Sequence, residues 1–263
     1  KKGRIIFVSS SLAVALGGSY LYIENSWWNE KQQGFHFDDG SDKVYALNVD
    51  KTGHFMGGLQ AADVFSGSMH WAGMSKKQAL WYGGIFGSGL QLAIEMKDAY
   101  APYWGFSKWD LAIGSAGSFL PVAKYYSPTL TAFDVKLSYW KRHNTYWDLE
   151  KQRGKTPHKN AWQDDYVNQT YWLSANLNYF NKFPDWLNIA IGFGLDETQY
   201  LVKGTKTGGK NEFYIALDYD IPKLLKGWKS PTAKKIKHWL NYFHFPAPTI
   251  RISPKLEFYP LFL

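Results

Sequence analysis

The spacing of apolar residues changes near Pro128, and this change constrains the fold more than any other feature of the sequence. From Asp50 to about Tyr126, apolar residues recur with the helical period of about 3.6 residues. After Pro128 they recur at every second position, which is the period of a strand with two unlike faces. The sequence therefore predicts an α+β protein, with a small helical bundle over residues 1–128 and an antiparallel β region over residues 129–263.

Two capping boxes and one proline predict where the helices begin and end. Ser75 stands three residues before Gln78, and Ser107 stands three residues before Asp110, which is the spacing that caps a helix start. Pro102 separates these two helices. Small residues lower helix propensity in water, but they suit helices whose backbones touch, as they do in membrane bundles. We expect such contacts at Gly83, Gly84, Gly87, Gly89, Gly114, Gly117 and Ser118.

Five segments after Pro128 alternate between an apolar face and a small or polar face. They are "TAFDVKLSYW", "QTYWLSANLNYF", "LNIAIGFGLDE", "NEFYIALDYD" and "TIRISPKLEFY". Five or six strands are fewer than the eight or so of known single-chain membrane barrels, so we expect a partial barrel or curved sheet packed on the helices. Its edges would be covered by those helices or by a partner protein. The alternative is a soluble sheet on a helical layer, with Asn176 and Asn178 facing water.

The first segment, "KKGRIIFVSSSLAVALGGSYLYI", has basic residues, an apolar run and small residues in the order that is typical of a signal peptide. Residues 5–23 are also about long enough to cross a bilayer. Gly17 and Gly18 would allow close packing against another helix. We expect a helix that is either inserted in a membrane or packed in a bundle.

A second amphipathic segment interrupts the strands near residues 231–244. Pro231 begins a predicted helix with apolar residues on one side and basic residues largely on the other. The apolar set is Ile236, Trp239, Leu240 and Phe243, and the polar set is Lys234, Lys235, Lys237 and His238. Both an interfacial membrane helix and a surface helix of a soluble domain have this pattern.

The composition favours an anionic, lipid-like partner. The formal net charge is +8, and the chain holds 13 Trp, 18 Tyr and 17 Phe residues, of which Trp and Tyr settle at membrane–water boundaries. The basic residues cluster in 203–210 and 223–237 without a nucleic-acid motif, so we expect membrane lipids and no nucleic acid. There is no cysteine, which excludes disulfides, thiol catalysis, cysteine-ligated zinc and an N-terminal cysteine lipid anchor for this chain as given.

Polar residues gather at the ends of the predicted helices. They are Asp50, Lys51, His54, Glu95, Asp98 and Asp110. Asp50 and His54 lie one helical turn apart on one face. Glu95 and Asp98 end the next helix, and Asp110 begins the third. Ionisable groups inside a bundle are costly unless they are paired, so this cluster is a candidate functional site.

One interpretation of the cluster is purely structural. Asp50 is then a helix N-cap, Asp110 completes a capping box, and His54 is bonded to a neighbouring carboxylate. The two carboxylates that end the second helix pair with Lys51 or Lys97.

Two chemical interpretations compete with the structural one. In a catalytic site, His54 would be a general base oriented by Asp50 or Glu95, but no Gly-x-Ser-x-Gly elbow supplies a nucleophile. In a metal site, His54 would act with Glu95, Asp98 or Asp110. No His-Glu-x-x-His or calcium-loop pattern is present, so the sequence predicts neither a metal nor a cofactor.

Three motifs in order, "DKTGHF", "EMKD" and "WGFSKWDLAIGSAG", resemble the YfiM-like lipoprotein family of Gram-negative envelopes, whose function is unknown. That pattern in turn is similar to the VanZ-like membrane proteins. The resemblance covers residues 35–123, and "FHFDDG" and "TYWLSANLNYF…PDWLNIAIGFG" resemble longer members of the family. It implies an envelope protein with a small helical bundle and a C-terminal strand region, and it implies no activity. The absence of a lipidation cysteine is a departure from the family.

We therefore predict an outer-membrane envelope protein that is a non-catalytic accessory subunit of a larger assembly or secretion complex, with other outer-membrane proteins as partners. The inner membrane or the periplasmic face is the alternative location. One functional alternative is a hydrolase or transferase that uses the His54 cluster on lipid, lipopolysaccharide or cell-wall substrates. The other is a lipid-binding module with a cleft between bundle and sheet.

Overall fold

A computed structural model describes residues 2–28, 31–102, 104–155, 161–180 and 183–263. The chain forms two compact units. The helical unit comprises residues 1–43 and 50–127, and the sheet unit comprises residues 44–49 and 128–263. Helices followed by an antiparallel sheet confirm the predicted α+β class.

The helices of the described residues are long in the helical unit and short elsewhere. Residues 50–126, for which the sequence predicts helix, fall almost entirely in three of them. The helices are α1 (Lys2–Trp27), α2 (Asp42–Tyr45), α3 (Val49–Trp71), α4 (Lys76–Asp98), α5 (Lys108–Tyr126), α6 (Thr145–Gln152), α7 (Leu177–Phe180), α8 (Ile221–Leu224) and α9 (Pro231–Leu240).

Helix α1 contacts the other helices at its ends and is exposed over most of its length. Its stretch Lys2–Leu21 is the one described segment long and apolar enough to cross a membrane, and only 6% of its most apolar window is buried. Its ends contact other helices, where Arg4 lies over the ring of Trp71 and Glu24 pairs with Lys97. The expectation of packing against other helices is therefore confirmed only at the two ends of α1. A helix of this kind near an N-terminus is typical of both signal sequences and membrane spans.

Both predicted serine N-caps are present. The Ser75 Oγ accepts a hydrogen bond from the Gln78 backbone N–H at 3.3 Å, and the Ser107 Oγ accepts one from the Asp110 N–H at 3.2 Å. These bonds satisfy backbone donors that have no partner within the first turn of α4 and α5. Asp50 is not an N-cap as proposed, because α3 already begins at Val49 and Asp50 lies in its first turn.

Six antiparallel strands form the main sheet, in the order β1-β2-β3-β6-β7-β8, and a separate hairpin pairs β4 with β5. Strand β2 ends at Asn176, so the second predicted strand is too long: its last residues form α7. The strands are β1 (Phe133–Tyr139), β2 (Gln169–Asn176), β3 (Leu187–Leu195), β4 (Gln199–Val202), β5 (Thr205–Gly208), β6 (Asn211–Tyr219), β7 (Ala247–Ser253) and β8 (Glu257–Phe262).

The sheet is not closed, and its two edges are treated differently. At the β1 edge, the backbone N–H of Leu137 donates to the carbonyl of Tyr242 at 2.9 Å. The carbonyl of Leu137 accepts the backbone N–H of His244 at 3.0 Å. The segment before β7 therefore covers part of this edge. At the other edge, no described strand pairs with the outer side of β8. That strand contains Pro260, which has no N–H and is tolerated where no ladder bond is needed.

The β4–β5 hairpin was absent from the predicted strands. Its turn residues Lys203 and Gly204 both have positive φ, 49° and 82°, as a two-residue type I′ turn requires. The flanking strands read Gln-Tyr-Leu-Val and Thr-Lys-Thr-Gly, and the second has no apolar alternation. The hairpin is therefore specified by its turn rather than by a hydrophobic period.

Candidate functional site

Helix α3 carries three of the six predicted site residues in its first two turns. Asp50 and Lys51 are in the first turn, where a negative charge favours the positive end of the helix dipole. His54 follows one turn after Asp50. Asp50 and Lys51 are buried, whereas the side chain of His54 is 19% exposed.

Helices α4 and α5 bring the carboxylates. Glu95, near the end of α4, is 1% exposed, and Asp110, in the first turn of α5, is 4% exposed. The Glu95 Oε2 accepts the backbone N–H of Ser107 at 2.8 Å, so the side chain of one helix ties down the start of the next. Gln91, one turn before Glu95, is also buried.

The structure brings His54, Glu95 and Asp110 together. One ligand-type atom from each of the three lies within 4.8 Å of those of the other two. The His54 Nδ1 is 2.9 Å from the Gln91 Oε1 and 3.9 Å from the Glu95 Oε1. Gln91 is therefore closer to His54 than Glu95 is, and the sequence analysis does not predict Gln91 as a partner of His54.

Lys51 links two of the carboxylates. Its Nζ is 3.0 Å from the Asp110 Oδ1 and 3.5 Å from the Asp50 Oδ2. These contacts are buried, so the attraction is weakly screened. Lys51 thus pairs with Asp110 and with its own neighbour Asp50, and the predicted pairing of Lys51 with Glu95 or Asp98 stays a prediction.

Asp98 and Lys97 have other partners. The Asp98 Oδ1 accepts a hydrogen bond from the Trp28 Nε1 at 2.7 Å. The Lys97 Nζ is 3.0 Å from the Glu24 Oε1 and 3.1 Å from the hydroxyl of Tyr20. Both residues therefore hold the end of α1 against α4, rather than pairing with each other as one alternative expected.

Glycines set the close approach of α3, α4 and α5 around the cluster. A Cβ on Gly58 would stand 2.1 Å from the carbonyl oxygen of Gly114, and one on Gly117 would stand 2.0 Å from that of Phe55. A Cβ on Gly114 would meet the side chain of Gln91 at 2.7 Å. The predicted backbone contacts at Gly83, Gly87, Gly114 and Gly117 are confirmed. Gly84 instead lies against the Phe119 ring, and Gly89 has nothing within 4 Å, so the expectation of a backbone contact is wrong for these two glycines.

This arrangement holds an imidazole, two carboxylates and an amide oxygen next to a partly open face. Such groups can move a proton or bind a divalent cation. His54 is hydrogen-bonded to Gln91 and to no serine or threonine hydroxyl among the described residues. The geometry therefore lacks the paired nucleophile and base of a hydrolase triad. The catalytic role assigned to this cluster stays a prediction.

The sheet has the opposite polarity from that of a soluble sheet. In β6, Glu212, Tyr214, Ala216 and Asp218 are buried, while the alternate residues Phe213, Ile215 and Leu217 are exposed. In β3, Asn188 and Ala190 are buried while Ile189 and Ile191 are exposed. The apolar face of the alternation is the outer one. Asn176 is buried, which contradicts the alternative of a soluble sheet with this residue in water, and Asn178 belongs to α7.

The inner face of the sheet holds a polar network that the sequence did not reveal. Lys136 of β1 lies 2.6 Å from the Asp218 Oδ2 of β6, and both side chains are fully buried. Asp218 also accepts from the hydroxyl of Ser174 at 2.5 Å and is 3.1 Å from the His244 Nδ1. His244 stacks on Trp172 with the ring centroids 4.0 Å apart. The polar residues that alternate with apolar ones along the strands are the sequence signal that could have predicted this network.

The outer apolar face extends across the sheet. Cross-strand neighbours in register, such as Leu173, Ile191 and Ile215, form continuous rows. We call this surface the outer sheet face, and it comprises the exposed residues Leu173, Ile189, Ile191, Phe213, Ile215, Leu217, Ile250, Ile252, Phe258 and Leu261. A contiguous apolar surface of this kind marks a lipid or protein contact.

Helix α9 leaves apolar as well as basic side chains exposed. It begins at Pro231 as predicted, capped by Ser230. Ile236 and Trp239 are exposed, whereas Lys237 is buried and its Nζ donates to the carbonyl of Leu225 at 3.0 Å. Lys237 thus differs from the other lysines of the polar set, because it caps carbonyls near the end of α8.

Residues 19–125 match the model of a family described as "Predicted periplasmic lipoprotein (DUF2279)". The match covers less than half of the chain and includes the His54 cluster, but not the sheet. No curated protein and no solved structure matches the chain. The helical part is thus similar to an envelope lipoprotein family of unknown function, as the sequence motifs predict. The finer resemblance to YfiM-like and VanZ-like proteins stays a prediction.

Proposed function

We propose that this chain is a protein of the Gram-negative outer membrane, which sets its outer sheet face against lipid and serves as a non-catalytic accessory subunit of a larger envelope assembly. The observation that carries the proposal is the inverted polarity of the sheet. Ile191 is 58% exposed, while Asp218, on the opposite face of the same sheet, is 0% exposed. In water, the exposed apolar side chains of this sheet would be unfavourable. In lipid, the apolar face contacts hydrocarbon while the polar side chains of the other face bind one another inside.

Strand length and the distribution of aromatic and basic residues favour lipid as the occupant of this face. Strands β3 and β6 have nine residues each, about the length that a tilted strand needs to cross a bilayer. At one end of these strands, Trp186 stacks on Tyr219. The connection from β6 to β7 leaves from this same end and carries exposed apolar and basic side chains, including Trp228, Trp239, Lys226, Lys229, Lys234 and Lys235. Such a belt suits a boundary with anionic headgroups.

The open edge of the sheet supports a subunit of a larger assembly. Unpaired backbone N–H and C=O groups are costly in lipid, so the outer side of β8 would need a partner in the membrane. Among the residues that the structure describes, a single bridge between Phe243 and Leu137 covers part of the β1 edge. A neighbouring outer-membrane protein that adds a strand beside β8 would complete the sheet. The match to a predicted periplasmic lipoprotein family is compatible with an envelope location.

Flotation with lipid vesicles tests the lipid contact, with residues 2–27 removed from the wild-type chain and from every variant so that α1 cannot anchor the chain by itself. The variant combines Ile191→Lys and Ile215→Lys, which are directly paired on the outer sheet face. Each lysine near the middle of a bilayer costs about 2–4 kcal/mol. We expect the wild-type chain to float with vesicles of phosphatidylethanolamine and phosphatidylglycerol, and the double variant to stay in the dense fraction. The matched control is Gln152→Lys, which adds a charge at an exposed polar position of the same unit.

The proposal fails if the double variant floats as well as the wild-type chain and the Gln152→Lys control. The accessory role has a separate test, in which the chain is extracted from native membranes in mild detergent and its mass is measured. We expect stoichiometric outer-membrane partners. Recovery as a monodisperse monomer would contradict the accessory role while leaving the lipid contact standing.

A further inference from the structure

We propose that His54, Glu95 and Asp110 form a binding site for a divalent transition-metal ion of the Zn²⁺ class. The site lies entirely within the helical unit and does not depend on the role of the sheet. The three residues come from three different helices, α3, α4 and α5, and their ligand-type atoms converge to within 4.8 Å of one another.

The spacing is close to what a small ion requires. Zn²⁺ binds nitrogen and carboxylate oxygen at about 2.0–2.2 Å, so ligand atoms around a tetrahedral ion lie roughly 3.4 Å apart. The largest closing movement among the three residues is therefore about 1.4 Å, which is within reach of side-chain rotation. The close helix contacts at Gly58 and Gly117 hold the backbones that carry them.

The surrounding contacts orient the ligands as outer-shell groups do in metal sites. The Ser107 N–H holds the Glu95 Oε2 at 2.8 Å, while the Glu95 Oε1 faces His54 at 3.9 Å. The Gln91 Oε1 lies 2.9 Å from the His54 Nδ1, which makes this oxygen a candidate fourth ligand beside the imidazole. Outer-shell bonds of this kind set ring orientation and ligand basicity.

The donor set selects the class of ion. An imidazole nitrogen suits Zn²⁺ and neighbouring transition ions, whereas Mg²⁺ and Ca²⁺ prefer oxygen ligands alone. A bound dication would take over the role of the Lys51 ammonium, which now contacts the Asp110 Oδ1 at 3.0 Å. The partial exposure of His54 leaves a side for an ion to enter.

The test uses the untagged full chain in detergent, freed of metal by a chelator and dialysis. Isothermal titration with Zn²⁺ gives stoichiometry and affinity, and the visible absorption of added Co²⁺ shows whether the ion is bound directly by protein groups. The main variants are His54→Ala and Glu95→Gln. The matched control is His70→Ala, because His70 lies on the same helix, is exposed, and is 2.9 Å from the Met74 carbonyl oxygen.

We expect one Zn²⁺ per wild-type chain, an unchanged affinity for His70→Ala, and binding at least about tenfold weaker for His54→Ala and Glu95→Gln. Near-UV circular dichroism verifies that each variant is folded. The proposal is overturned if the wild-type chain binds no Zn²⁺, or if folded His54→Ala or Glu95→Gln binds as tightly as the wild type. The wild-type titration alone suffices if both variants misfold.

Discussion

Gly117 is the position where one added methyl group should most directly reveal how the helices hold the cluster. In Gly117→Ala, the new Cβ would stand 2.0 Å from the backbone carbonyl oxygen of Phe55. Backbone cannot rotate out of the way as a side chain can. An ordinary contact begins near 3.4 Å, so α3 and α5 must separate locally by about 1.4 Å.

The energetic consequence follows from two opposing effects. Overpacking of a close contact costs typically about 1–3 kcal/mol, and more when backbone is involved. Alanine in place of glycine inside a helix gains up to about 1 kcal/mol. We therefore expect Gly117→Ala to lower the free energy of unfolding by about 1–2 kcal/mol. Because His54 and Asp110 lie on the two helices that separate, Zn²⁺ binding should also weaken.

The control is Gly89→Ala in α4, where a Cβ meets nothing within 4 Å. Only the propensity gain applies there, so the expected change is a stabilisation of up to about 1 kcal/mol. Urea unfolding in detergent, followed by far-UV circular dichroism, gives the midpoint for both variants. A Gly117→Ala chain as stable as Gly89→Ala would refute the close helix contact and the account of how the site is built.

Two further predictions concern the sheet unit. Lys136→Met removes the buried partner of Asp218 and should lower the free energy of unfolding by about 3–5 kcal/mol in a urea titration. The control Lys235→Met, at an exposed lysine, should change this free energy by less than about 0.5 kcal/mol. Equal effects of the two variants would show that the ion pair is not buried. Burial favours a raised pKa for Glu150, but the charges and hydrogen bonds of Lys206 and Arg153 outweigh it and hold the pKa below the ordinary value near 4.5. The stability that the Glu150 carboxylate gains from Lys206 and Arg153 is therefore fully present above pH 4.5 and is lost as the pH falls through the lowered pKa. The thermal midpoint should drop on acidification, and Glu150→Gln should make that drop smaller.

The fold class could be predicted because each half of the chain repeats its own period. The capping boxes at Ser75 and Ser107 fixed two helix starts, and the alternation in residues 187–195 and 211–219 fixed two strands. These are local signals, readable from neighbouring residues. The β4–β5 hairpin escaped because its residues lack an apolar period, and the end of β2 was misplaced because the alternation continues into α7.

The candidate site could be predicted only in part. Local spacing places Asp50 and His54 on one face of α3, but Gln91 as the partner of His54 depends on how α4 packs against α3. In the same way, Lys51 reaches Asp110 across 59 positions of sequence, which no spacing rule predicts. Asp98 was assigned to the cluster by its position three residues after Glu95, yet its carboxylate accepts from Trp28.

By itself the sequence determined which residues alternate and where helices give way to strands, because periodicity and caps are properties of consecutive residues. Only the tertiary structure decided which side of each element faces inward. Hydrophobic alternation is the same whether Ile191 or Gly192 points to the interior, and the choice is made by the partners across the sheet. Here Lys136, Asp218 and His244 satisfy one another inside, which leaves the apolar residues outside.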